Sequence, residues 1–454
     1  MLDELRALVG EGACSDAPED LIHWGRDWTR AIAPRPLAVV WPATADHVGA
    51  IVQLCARHGI SVVPSGGRTG LAAGAVASNG ELVLSLDRLR QLGPVDALNC
   101  SVTVGAGVPN QVLQDHCLPY ALCWPIDLAS KGSSSVGGNL ATNAGGIKVL
   151  RYGHARNWVL GLEIVTARGQ LVQLGGALHK DNSGYALQQL VVGSEGTLAI
   201  ITAATLALAP LPRPTQVGLV ACHDLQAVLT LFGAAMSAGL HLHAFEYFSG
   251  YCLEQVLAHT GLPRPVATAP AYALVQCELR SGFDLASWLV AHAGVRDGTV
   301  AGDHAQAAKL WQYRERITES LQAAKPHKND IAVPVSALPE FAERLQVWLR
   351  RTRPGWQVAV FGHVGDGNLH INTLRPLGMA DAAFLDACAQ ADSELFELVA
   401  QFGGSLSAEH GIGLHKKAHL AITRSHAEIG LMRALKLAWD PQGLLNPGKI
   451  FDMR

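Results

Sequence analysis

Three glycine-rich segments constrain this chain more than any other feature: PSGGRTG at 64–70, SSSVGGNLATNAGG at 133–146 and VVGSEGTL at 191–198. The 47 glycines among 454 residues come in short clusters with no regular period, which excludes a fibrous repeat and points to tight loops. Glycine lets the backbone approach a phosphate closely and aim N–H groups at it, and neighbouring Ser and Thr hydroxyls add donors. One cluster alone reads as an ordinary tight turn. Three, each attached to a strand end and each mixing Gly with Ser, Thr or Asn, read better as a cradle for an extended anionic ligand. None matches G-x-G-x-x-G or G-x-x-x-x-G-K-[ST], so a plain NAD-binding domain and a P-loop NTPase are both disfavoured.

The pattern around these loops sets the organisation. AVVWPATADHVGAIVQLCARHGISVVPSGG reads as strand, helix, strand, with Thr44 as N-cap, Val48, Ile51, Val52 and Cys55 as the apolar stripe, and Gly59 as C-cap. Short strands follow over Leu82–Leu86, Ser101–Val104, Leu160–Ala167 and Leu198–Leu208. Pro210, Pro212 and Pro214 mark a linker, beyond which residues 215–400 alternate helical and strand patterns. A capping box, Ser425-His426-Ala427-Glu428, opens a last helix that Asp440-Pro441 stops.

Composition removes several function classes. Only 16% of residues are charged and the formal net charge is −3 without a basic block, so nucleic acid is not an expected partner. The nine cysteines include no C-x-x-C pair and read as small core residues, not as cluster or zinc ligands. MLDELRALVG lacks the pattern of a secretory signal, and the apolar stretch near 197–210 is too short and β-branched to span a bilayer. No transmembrane segment is expected, and a cytoplasmic setting, at most peripheral to a membrane, is the default.

PSGGRTGLAAGAV, PIDLASKGSSSVGGNLATNAGGIKVLRYG, LVVGSEGTLAIIT and the tail LLNPGKIF together resemble the FAD enzymes of the vanillyl-alcohol-oxidase type. Within them the chain is similar to the D-lactate, D-2-hydroxyglutarate and glycolate dehydrogenase branch, in the same order and over almost its whole length. The resemblance implies an α+β chain: a two-part FAD-binding domain over 1–210, an α+β substrate (cap) domain over 211–400, and a C-terminal helical segment over 401–454 that completes the active site and packs on the FAD domain. It implies that FAD lies along the first loop (Pro64, Ser65, Gly66, Gly67, Arg68, Thr69, Gly70). The same resemblance adds Pro125, Asp127, Ser130, Ser133, Gly138, Asn139, Thr142, Asn143, Gly145 and Gly146 from the second segment. Glu195, Gly196, Ile200 and Ile201 follow from the third, with Asn446 from the tail. Relatives that attach FAD covalently often carry His after the paired glycines; Arg68 stands there, so non-covalent FAD is expected.

A second constellation sits in FGHVGDGNLHIN (361–372) and SAEHGIG (407–413). His363, His370 and Glu409 form a three-ligand set suited to Zn²⁺ with an open coordination position. Positions seven apart in a regular strand face opposite sides, so Gly365 and Gly367 must break the strand for both imidazoles to meet. From spacing alone a structural or surface role stands level with a metal role. The resemblance implies the metal role for His363, His370 and Glu409, and a catalytic-base role for His410. It further implies that Arg314, Thr318, Lys328 and Asn372 bind the substrate; taken alone, LWQYRERITESLQAAKPHKNDI reads as a solvated amphipathic helix with Arg314 and Thr318 one turn apart. An Arg/Lys pair suits a dianion better than a monoanion. The expected activity is therefore metal-assisted, FAD-dependent oxidation of a D-2-hydroxy acid, foremost D-2-hydroxyglutarate, by hydride transfer to flavin N5. D-lactate or another D-2-hydroxy acid is the alternative substrate, and a non-catalytic FAD-binding subunit is the alternative class. The expected electron acceptor is external, an electron-transfer flavoprotein or a quinone, and a homodimer is an assembly the family often adopts.

Overall fold

The helix Ala45–His58 begins and ends where its sequence signals stand. Thr44 Oγ1 accepts a bond from His47 N at 3.2 Å, and Gly59 closes the helix in the left-handed region at φ 65°. Its stripe of Val48, Ile51, Val52, Leu54 and Cys55 is buried. The helix carries the chain from the strand Ala38–Val40 to the strand Val62–Ser65, and both lie parallel to Leu82–Ser85 between them. A helical crossover is what two parallel strands require.

In this computed structural model residues 1–29 and 32–453 are described. The chain divides into two units. The first comprises Met1–Gly146, His154–Leu211 and Glu409–Arg454; the second comprises Ile147–Gly153 and Pro212–Ala408.

In the first unit, among the described residues, the parallel strands belong to one four-stranded sheet, which Cys14–Ser15 extends antiparallel. A second, antiparallel four-stranded sheet orders Ser101–Gly105, Ile200–Ala207, Val159–Val165 and Leu171–Gly175. The proline-spaced stretch opens as a short strand, Ala209–Pro210 pairing with Leu122–Cys123. The C-terminal helix His426–Trp439 starts with the capping box, Ser425 Oγ accepting from Glu428 N and Glu428 Oε2 accepting from Ser425 N. The tail then returns to the first sheet: Val62 N donates to Leu444 O at 2.8 Å and Asn446 N donates to Val62 O at 2.7 Å. Buried Lys436 secures it by donating to Thr197 O and Leu445 O.

In the second unit, among the described residues, seven antiparallel strands form one sheet in the order Val295–Val300, Thr215–Cys222, Ala271–Glu278, Leu242–Ser249, Val358–Gly362, Asn368–Thr373, His327–Ala332. Register decides which side chains share a face. Phe248 pairs with Phe361, Phe361 with His370, Asp330 with His370, and Lys328 with Asn372. Paired residues point to one side, and residues two apart along a strand do as well. Glu246, Phe361, His370, Asn372, Lys328 and Asp330 therefore share one face. Phe248, Tyr272, Leu274 and Phe361 contribute to an apolar cluster on that face, against Leu253 and Val256 of the helix Gly250–Thr260 and Leu310 and Tyr313 of His304–Glu315.

The segment expected to carry Arg314 and Thr318 on one continuous helix is instead two helices, His304–Glu315 and Ile317–Leu321. Arg316 between them adopts φ −85°, ψ 4°, so helical register does not carry from Arg314 to Thr318. Lys328 lies in the strand His327–Ala332, after the helical stretch has ended. Among the described residues no helix is long and apolar enough to cross a membrane.

Candidate active site

In the first unit the strand Val62–Ser65 runs straight into the first glycine loop, and the loop lines a cavity with about 920 Å³ of empty space including its open mouth. The wall includes Pro64 to Gly70, Ser134, Ser135, Gly138, Asn139, Thr142, Ser194, Glu195, Gly196, Ile200, Ile201 and His410. All three glycine segments thus meet at one cavity. Ser135 joins two of them: its Oγ accepts from Gly67 N and from Gly138 N, both at 3.3 Å, and caps the short helix Val136–Ala141. The buried hydroxyls of Ser65 and Ser194 have no hydrogen-bond partner among the described residues, as donors kept for a ligand would be. Among the described residues of this wall, Pro125, Asp127, Ser130, Ser133, Asn143, Gly145, Gly146 and Asn446 do not appear.

Arg68 lines the cavity, yet its guanidinium stacks 3.8 Å over the Trp24 ring and lies 3.6 Å from Asp87. Glu195 acts as a bolt within this unit. Its carboxylate accepts from Ile412 N at 2.7 Å and Gly413 N at 2.8 Å, and its carbonyl accepts from Asn446 Nδ2 at 2.6 Å. Burial pushes the Glu195 carboxyl up in spite of these donors. The loop that follows His410 is thereby tied to the cavity wall, with Gly411 at φ 80° and Gly413 at φ 51° taking conformations that favour glycine. Lys449, in the NPGK tail, is buried, and its Nζ has no hydrogen-bond partner among the described residues. Burial brings its amine down to about 8.

In the second unit His363 follows the strand Val358–Gly362 and His370 lies within Asn368–Thr373. The turn between them breaks the strand as the sequence requires. Gly367 takes φ 84°, where a Cβ would lie 2.1 Å from Val333 O. The two imidazoles meet edge to face with centroids 5.4 Å apart. Each has a carboxylate at Nδ1: Glu246 Oε1 lies 2.7 Å from that of His363, and Asp330 Oδ1 lies 3.5 Å from that of His370. Asn368 Nδ2 and Ala408 N donate to Asp330 at 2.8 and 3.1 Å. Burial opposes ionisation of Glu246, but His363 and Arg314 outweigh it and hold its carboxyl below the usual range. Asp366, in the turn, is pushed by burial up to about 6, against the pull of His363 and with help from Glu246 and Asp330. Lys328 sits part-buried on the same sheet face, and burial lowers its amine.

Comparison with known proteins identifies the family. Residues 36–175 match the family described as FAD binding domain, and residues 211–450 match the C-terminal domain of FAD linked oxidases. The chain is 47% identical to D-2-hydroxyglutarate dehydrogenase of Xanthomonas citri pv. viticola, covering 96% of this chain and 93% of that one. It is 40% identical to the enzyme of the same name from Stutzerimonas stutzeri, covering 99% and 98%. The chain belongs to the FAD-linked D-2-hydroxy-acid dehydrogenases. This dehydrogenase shares its fold with distant solved structures: 4-ethylphenol oxidase from Gulosibacter chungangensis superposes with a TM-score of 0.78 at 17% identity, covering 99% and 97%. An alkyldihydroxyacetonephosphate synthase superposes at 0.73 with 16% identity, covering 98% and 84%.

Several residues of the dehydrogenase escaped the sequence reading: Ser135, Ser134 and Ser194 in the cavity wall, and Glu246 and Asp330 beside the histidines. The serines stood inside the glycine segments and were within reach; the two carboxylates carried no local signal. The close fit of the glycine loops gives a first prediction. A Cβ on Gly67 would lie 2.1 Å from Ser133 O and 2.8 Å from Ser134 Cα, both backbone. Gly67→Ala must push two cradle segments apart. Such overpacking typically costs about 1–3 kcal/mol, or roughly 5–150-fold in FAD affinity. The ratio of flavin to protein absorbance in the purified variant reads this out, and a stoichiometric flavin content would place the cofactor elsewhere.

Proposed function

We propose that this dehydrogenase oxidises D-2-hydroxyglutarate to 2-oxoglutarate with the help of a divalent metal, zinc foremost. The observation that carries the reading is the second unit's sheet face. Two carboxylate-backed imidazoles share it with Lys328 and Asn372, and Arg314 reaches over it, its guanidinium 4.9 Å above the Phe361 ring. Two cations beside a metal-capable pair suit a substrate with two carboxylates, one near the reacting carbon and one distant.

In this reading the first unit is the FAD-binding domain and the second is the substrate domain. The paired glycine loops, the orphaned Ser65 and Ser194 hydroxyls and the Ser135 cap support FAD in the first unit's cavity, without a covalent tether. His363, His370 and Glu409 hold the metal; the two imidazoles suit it, because an imidazole that donates from Nδ1 carries its lone pair on Nε2. The metal would supply Lewis acidity at the 2-hydroxyl, and FAD would supply the hydride acceptor at N5. Arg314 and Lys328 neutralise the carboxylates, while Asn372 and Thr318 complete the substrate contacts. His410 takes the hydroxyl proton as general base. Electrons leave to an external carrier, an electron-transfer flavoprotein or a quinone.

Anaerobic titration of the yellow enzyme tests the reading. D-2-hydroxyglutarate is expected to bleach the flavin at a concentration roughly 10–100-fold lower than D-lactate, the difference made by one charge-paired carboxylate. Equal potency of the two acids would remove the dicarboxylate assignment, and no bleaching by either would remove the reaction.

A further inference from the structure

Glu246 is 1% exposed, on the strand Leu242–Ser249. A carboxylate so deep in a sheet face is costly unless each oxygen is matched by a charge or a donor. Here the two oxygens serve two different groups. Oε1 lies 2.7 Å from Nδ1 of His363, which follows a neighbouring strand. Oε2 lies 2.8 Å from Nε of Arg314, at the end of the helix His304–Glu315, as a close ion pair off the N–H axis. Around these two groups the face is largely apolar: Leu274 pairs across the strand from Glu246, the Arg314 guanidinium lies over Phe361, and Phe361 packs 5.0 Å from the His370 ring. An apolar side chain at 246 would fill that space without the cost of burying a charge, so packing alone does not account for Glu246.

We infer that Glu246 is a single positioning residue for two tasks, setting His363 for metal binding and Arg314 for substrate carboxylate binding, so that metal affinity and substrate capture share one buried anion. The inference rests on the roles proposed above for His363 and Arg314. A hydrogen bond from Nδ1–H to Oε1 selects the imidazole tautomer with its lone pair on Nε2 and fixes the ring plane. The ion pair at Nε anchors the guanidinium by its inner nitrogen, so the terminal N–H groups are the ones turned to an anion in the site. Loss of the charge should therefore be felt at both groups, although neither touches the other's ligand.

Glu246→Gln in the FAD-loaded enzyme tests this through two independent readouts. Zn²⁺ affinity is measured by competition with a chelating dye, and KM for D-2-hydroxyglutarate by reduction of an artificial acceptor. The variant is expected to lose roughly 10–100-fold in Zn²⁺ affinity. With saturating Zn²⁺ restored, its KM is still expected to be about tenfold or more above wild type. Arg314→Lys is the control: it keeps a cation against Glu246, so it should raise KM while its effect on Zn²⁺ affinity stays well short of the loss in Glu246→Gln. Normal Zn²⁺ affinity in Glu246→Gln, or a normal KM once metal is restored, overturns the shared anchor. A wild type that binds Zn²⁺ no better than His363→Ala overturns the metal reading itself, and the inference with it. Should Glu246→Gln fail to fold, Glu246→Asp keeps the charge but withdraws both oxygens by one methylene, and the same two measurements decide: losses in both support the anchor, and a loss in neither or only one overturns it.

Discussion

His410→Ala is expected to slow flavin reduction by about 10²–10⁴-fold, the usual contribution of a general base, while leaving FAD in place. The structure separates the two effects. His410 lines the first unit's cavity, but the loop is held by backbone donors after it: Ile412 N and Gly413 N bond the Glu195 carboxylate. Truncating the imidazole removes neither donor, and the glycines at 411 and 413 keep their left-handed conformations. The cradle built from Gly67, Ser135 and Gly138 is likewise untouched. Stopped-flow mixing of oxidised enzyme with D-2-hydroxyglutarate under anaerobic conditions reads the reductive half-reaction alone, so a slow acceptor step cannot mask the loss. Flavin content close to wild type with a crippled reduction rate is the expected pair of results. Near-normal reduction would remove His410 from the chemistry.

What the sequence revealed and what it hid follow one physical division. Signals that act over a few residues were legible. Thr44 and Gly59 bound their helix, and Ser425 with Glu428 start the last one, because capping is completed within three or four residues. The need for a break between His363 and His370 was legible too, since period-two alternation forbids a straight strand, and Gly367 supplies the break. Partners set by sheet register or chain return were not legible. Glu246 reaches His363 across 117 positions, and Glu195 reaches Ile412 across 217. Nothing near either carboxylate announces its partner. The helical spacing of Arg314 and Thr318 misled for the opposite reason: the pattern was local, but the backbone at Arg316 interrupts it. Resemblance brought FAD and the substrate class into view, whereas the carboxylates behind the histidines came from geometry alone.

Removing the divalent metal is expected to cost about 10²–10³-fold in the rate of flavin reduction by D-2-hydroxyglutarate, since Lewis-acid stabilisation is worth several kcal/mol and each 1.36 kcal/mol is tenfold. The loss should be reversible. Zn²⁺ added back to the chelated enzyme restores the rate, because the ligand geometry is built by the protein and does not wait for the ion. His363 and His370 are each backed at Nδ1 by a buried carboxylate, and Asp330 is itself held by Asn368 and Ala408 N–H groups. Such outer partners fix ring orientation before the metal arrives. His370→Ala should show the same loss without recovery on adding Zn²⁺, since a backing carboxylate cannot replace the imidazole it orients. Both enzymes should keep their yellow colour, because the cavity proposed for FAD is walled by first-unit residues. A metal-free enzyme that reduces its flavin at the full rate would leave the paired imidazoles without a metal role. Proton removal would then rest on His410, and substrate capture on Arg314 and Lys328.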